Sequence, residues 1–286
     1  MSTNITEADI KAMVAQIIGG MGGSGTTASV VAPHSSAIVE DATPEQLFAI
    51  PGPANRDAYM TMLATTSARL GEWRAGTRPT TASLLRFRAD HAGAMDAVFN
   101  DVSEALPASL GLFPVQTSAP DKAAYLMNPD LGTKFTAETT KQISEHCAHG
   151  KQVQIIVSDG LSSAAVERNV SDLLPALMQG LQRHNLSTGN GLFVKFGRVR
   201  AMDEITAIVG CEVTIMLVGE RPGLVTNESL SCYMTYKGHP GMAESSRTVV
   251  SNIYRKGTPP VEAGAYIADI AKKMIDTKMS GMDLKL

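Results

Sequence analysis

Apolar and polar positions follow two rhythms along this chain. Over residues 5–18 (ITEADIKAMVAQII), Ile10, Met13, Val14, Ile17 and Ile18 recur at helical spacing, and Thr6 stands where an N-cap is needed. A Gly/Ser/Thr/Ala stretch follows, with the composition of a flexible tether. Helical patterns resume over 56–72 and 81–100, joined by the basic turn Arg74-Ala-Gly-Thr-Arg78-Pro79. Beyond residue 120 the rhythm changes to short β-branched runs: VQIIV (153–157), LFVKFGRV (192–199), EVTIMLVG (212–219), SLSCYMTY (229–236) and TVVSNI (248–253). Between and after them, helices are expected through Leu181, from Asp203 to Val209 and from Thr258 to Lys278. Pro259 and Pro260 fall in the first turn of the last one, where proline is tolerated.

Strands alternating with helices predict an α/β fold, a mostly parallel sheet with flanking helices on both faces. Three regions follow: 1–50, an amphipathic helix and tether; 51–120, a helical region; 121–286, the α/β domain. Ligands in such sheets sit beyond the carboxyl ends of the strands. The loops to watch are therefore 158–163, 197–200 and 219–224.

Composition narrows the function. Apolar residues make up 44% of the 286 positions, enough for a large core. Lysine and arginine number 25 against 28 acidic residues, a net charge of −3 that argues against non-specific nucleic-acid binding. No apolar run approaches the ~20 residues of a membrane helix. The first residues lack the basic-then-apolar order of a secretory signal, so a cytoplasmic protein is expected. Cys147, Cys211 and Cys232 are odd in number and far apart, which suits reduced, buried thiols better than a disulfide framework.

Each candidate motif has a plain alternative. Gly20–Gly25 satisfies G-x-G-x-x-G, with Asp41 at a tolerable distance, but no strand precedes it and no βαβ unit surrounds it. Ser158–Ser163 sits at a strand-to-helix junction, where exposed N–H groups favour an accepting ligand and where Ser162 or Ser163 could equally be an N-cap. Gly219-Glu220-Arg221-Pro222-Gly223 is a rigid loop that could meet a cofactor, or a turn whose charges pair with each other. His146-Cys147-Ala148-His149 lacks further ligands at a supporting spacing, so no metal site is expected. Arg74, Arg78, Arg86 and Arg88 could meet an acidic partner or phosphate, or form a solvated face. No Ser/His/Asp or Cys/His set stands out, and no catalytic residue is assigned. The residues alone describe a ligand-binding architecture without a visible catalytic engine.

Several strings, taken together, resemble the small (light) subunit of bacterial ethanolamine ammonia-lyase. They are Arg78-Pro-Thr-Thr-Ala-Ser-Leu-Leu-Arg-Phe-Arg-Ala-Asp-His91, Val157-Ser-Asp-Gly-Leu-Ser162, Phe196-Gly-Arg-Val199, Leu217-Val-Gly-Glu-Arg-Pro-Gly-Leu224, Glu228-Ser-Leu-Ser-Cys-Tyr233, Ser251-Asn-Ile253 and Gly257-Thr-Pro-Pro-Val-Glu-Ala263. The match runs in order from Asn55 to the C-terminus. It implies a Rossmann-like cobalamin-binding domain in an enzyme that converts ethanolamine to acetaldehyde and ammonia with adenosylcobalamin. It implies a large subunit that carries the radical chemistry, with the cofactor held between the two chains. Carried over residue by residue, the implied cofactor contacts are Val199, Glu220 and Val249. The last is often Cys in relatives, so a thiol-specific role there is lost while an apolar or backbone contact survives. The base-off Asp-x-His-x-x-G motif is missing, in keeping with a family in which no small-subunit histidine ligates cobalt. Residues 5–18 also resemble the short helical address that directs such enzymes into a bacterial microcompartment, with shell proteins as partners. The competing reading is a stand-alone nicotinamide-dependent oxidoreductase using Gly20–Gly25.

Overall fold

The computed structural model describes residues 48–66 and 68–286. The helix expected over 5–18 and the Gly20–Gly25 motif lie outside the described residues. Two helices come first: α1 (Arg56–Thr65), capped by Asn55, and α2 (Thr81–Phe99), capped by Thr80. A two-residue hairpin, β1 (Arg74–Ala75) with β2 (Arg78–Pro79), joins them. The pattern predicts α1 to residue 72, but it stops at Thr65 and the chain turns extended at Thr66.

After α3 (Ala105–Ser109) the sheet begins with β3 (Phe113–Gln116). This strand is not announced by the hydrophobic pattern, because four residues with a proline among them carry too little period. It is an edge strand, where proline does least harm. Then follow α4 (Lys122–Met127), α5 (Ala137–His146), β4 (Val153–Ser158), α6 (Ser163–Arg183), β5 (Leu192–Lys195), α7 (Ala201–Val209) and β6 (Val213–Gly219). The chain closes with β7 (Leu230–Tyr236), β8 (Thr248–Ile253) and α8 (Pro260–Thr277). The six-stranded sheet has the order β3-β5-β4-β6-β7-β8. The first four strands are parallel, and β7 and β8 run antiparallel to their neighbours.

Side-chain alternation divides the sheet between two cores. Ile155, Val157, Ile215 and Leu217 point to α6 and α8, meeting Val170, Leu177, Ile267 and Ala271. Ile156, Val194, Met216 and Val218 point to the opposite face, meeting Ile143 of α5 and Met202 and Ile205 of α7. The carboxyl end of β4 therefore leads to one face and that of β5 to the other. Between these neighbouring strands lies the crevice that doubly wound sheets use for ligands.

Helix α2 is amphipathic in the unusual sense. Its inward side holds Ser83, Gly93 and Ala97, and it meets the body through the Gly93 and Ala97 carbonyls, which accept from Asn227 Nδ2 and Ser163 Oγ. Its outward side carries Leu84, Leu85, Phe87, Met95 and Phe99, of which Leu85 is 61% and Phe99 56% exposed.

Candidate functional site

The crevice between β4 and β5 is filled by the protein's own groups. Asp159, the first residue beyond β4, is buried, and its Oδ1 accepts from the Phe196 N–H at 2.8 Å. Burial pushes its carboxyl up to about 6, against the pull of Lys122 at 4.0 Å and the N–H groups of Phe196, Gly197 and Gly160. Phe196 ends β5 in the left-handed region, at φ +59°, a rare place for a bulky residue. This is why the strand expected over 192–199 stops at Lys195. Its ring stacks on Tyr125, whose hydroxyl lies 2.9 Å from the Gly160 carbonyl and 3.0 Å from that of Gly197. Lys122 and Lys195 lie over the Phe196 ring and both pair with Asp101. Glycine is required nearby: Gly160 has φ +55°, and a Cβ there would stand 2.3 Å from the Gly219 oxygen.

Nearby motifs find structural partners. Ser162 caps α6, its oxygen accepting from the Ala165 N–H. The N–H groups of Gly160, Leu161 and Ser162 bond to Ser158 Oγ, Gly219 O and Asp159 O. The His146 ring stacks on Phe113 and His149 bonds to Ser144. Arg86 and Arg69 both face Asp90. All three cysteines are buried thiols, and burial pushes Cys147 up to about 11.

Open ground lies at the antiparallel side of the sheet, on the face that α5 and α7 cover elsewhere. There β6, β7 and β8 bring Met216, Tyr233 and Val249 into one row. Val249 is 45% exposed. Glu220 is the first residue past β6 and is half-buried; its Oε1 accepts from the Tyr233 hydroxyl at 2.8 Å, and Arg221 is exposed. Val199 sits one residue before the N-cap of α7 and borders the same core as Tyr233.

A chain of charges fastens this region. Arg200, beside Val199, reaches Glu244 Oε1 at 2.7 Å, and Arg247 Nε reaches Glu244 Oε2 at 2.8 Å. Arg247 also grips Asp203 of α7 with both Nη atoms, at 2.8 and 2.7 Å. The Arg247 and Asp203 side chains are only 1% and 3% exposed. Burial alone would raise the Glu244 carboxyl, but the two guanidiniums outweigh it and hold the group below its usual range. The start of β8, which carries Val249, is thus tied to the loop that carries Val199. The structure brings Glu220 and Val249 together around Tyr233, and links Val199 to Val249 through these ions. Sequence reasoning does not find Tyr233, Asp203, Glu244 or Arg247. A period-2 reading of 229–236 puts Tyr233 on one face but cannot name what faces it. No spacing signals a pair 44 positions apart.

Fold and site define the chain as an α/β protein with a polar cluster on the open face of its antiparallel edge. A family model for the ethanolamine ammonia-lyase light chain (EutC) matches residues 56–285. An ethanolamine ammonia-lyase small subunit of Listeria monocytogenes serotype 4a (strain HCC23) is 46% identical over 293 residues, covering 98% of this chain and all of the relative. One from Clostridium perfringens (strain ATCC 13124) is 47% identical over 296 residues, with 98% and 100% coverage. One from Clostridium tetani (strain Massachusetts / E88) is 54% identical over 237 residues, with 83% and 80% coverage. The chain belongs to the ethanolamine ammonia-lyase small-subunit family.

Proposed function

We propose that this chain is the cofactor-holding subunit of an adenosylcobalamin-dependent ethanolamine ammonia-lyase, and that it closes over the corrinoid opposite a large subunit carrying the catalytic residues. The observation that carries this reading is the meeting of Glu220 and Val249 around Tyr233, with Val199 tied in by Arg200, Glu244 and Arg247. The residues present suit the group. Glu220 has one carboxylate oxygen engaged by Tyr233 and the other with no partner among the described residues. A corrinoid rim of amides and a ribose hydroxyl supply donors for that oxygen, and Val199 and Val249 supply apolar contact. When bound, the cofactor supplies the radical chemistry, and the protein supplies grip and orientation.

The complex with the large subunit tests it. Glu220→Ala should weaken adenosylcobalamin binding by about 1–3 kcal/mol, the cost of a lost charged hydrogen bond, with ethanolamine recognition little changed. Equilibrium dialysis of the co-purified complex reads this directly, and unchanged affinity refutes the assignment.

A second part of the proposal concerns residues 5–18, whose resemblance to the helical address of related enzymes supports a role as the signal to a microcompartment shell. Deleting residues 1–45 should leave the lyase complex intact and abolish co-localisation with shell proteins. Retained co-localisation would remove the idea.

A further inference from the structure

Glu220 lies at the mouth of a loop, not inside a strand. Its N–H donates to the Ser229 carbonyl at 3.0 Å, which closes the base of that loop, but this bond fixes the backbone only. A glutamate side chain there has several rotamers, and binding through it would have to freeze them. Among the described residues one side chain holds it: Tyr233, whose hydroxyl donates to Oε1 at 2.8 Å. Tyr233 is itself well held. It pairs in register with Met216 on one side and Val249 on the other, and its ring packs on the core of α5 and α7. Burial, and then the Glu220 charge, push its phenol upward, so it stays a proton donor at neutral pH.

Resting on the reading above, we infer that Tyr233 is the positioning residue of the corrinoid site: its hydroxyl holds Oε1 of Glu220 so that the other carboxylate oxygen is presented, already ordered, to a donor on the ligand. The occupied oxygen and the open one make Glu220 a one-directional acceptor. It favours an amide N–H or hydroxyl at one place and disfavours a ligand carbonyl there. Such pre-ordering raises affinity without any ligand contact by Tyr233 itself.

The test is a double-mutant cycle on the complex with the large subunit, with adenosylcobalamin as the probe. Binding is read by equilibrium dialysis, and turnover of ethanolamine is read against cofactor concentration. Tyr233→Phe keeps the ring and removes only the donor. It should weaken binding about fivefold, the scale of one hydrogen bond, and raise the half-saturating cofactor concentration more than it lowers saturated turnover. In a Glu220→Ala background the same change should add nothing further. A full additional loss in that background would show that Tyr233 acts elsewhere and would overturn the inference. So would wild-type affinity in Tyr233→Phe when Glu220→Ala is impaired, which would leave the proposed function standing. Wild-type affinity in Glu220→Ala would overturn both.

Discussion

Arg247→Met is expected to destabilise the folded chain by about 3–5 kcal/mol, because it leaves the Asp203 carboxylate buried without its counter-ion. The two side chains are among the least exposed charges of the fold, and their bidentate contact satisfies both carboxylate oxygens. Removing the cation strands a charge in a site that α7 and the start of β8 close over. Converting Asp203 to Leu in the same chain should recover much of the loss, since replacing a whole buried pair by apolar groups is often neutral. Glu244→Gln, at a side chain 55% exposed, should cost under about 1 kcal/mol. Urea midpoints of the three variants check the order, and equal losses for Arg247→Met and Glu244→Gln would contradict it.

The second large effect is a pH dependence centred on Asp159. Its folded pKa of about 6 lies above the ordinary carboxyl value, so the folded state binds a proton that the unfolded chain gives up. The sign follows: this group's stabilising contribution is fully present below about pH 4 and is lost as pH rises through about 6. Asp159→Asn removes the titration but keeps an oxygen for the Phe196 N–H. The unfolding free energy of the native chain minus that of the variant should therefore fall by roughly 2 kcal/mol between pH 4 and pH 7. A difference that stays flat across that window would show that the carboxyl is not titrating as a buried acid.

Legibility from sequence varied with the range of the interaction. Strands β4, β6 and β7 could be read because VQIIV, VTIMLVG and LSCYMTY are uninterrupted and nearly all buried. The start of α8 could be read from its prolines. Strand β3 could not, and neither could the break at Phe196, whose left-handed backbone is bonded by Asp159, just past β4, and by Thr117. Val199, Glu220 and Val249 came from family resemblance. What surrounds them did not, since a long loop and half of β7 separate Glu220 from Tyr233, and all of β6 and β7 lie between Asp203 and Arg247.

The inside-out arrangement of α2 bears on how the chain behaves as a solution component. A row of large apolar side chains facing water, from Leu84 to Phe99, makes dilution matter. As concentration rises, molecules can lower their free energy by covering that row against one another, and excluded salts such as sulfate push in the same direction. Anything that shields this one helix would relieve that pressure toward association.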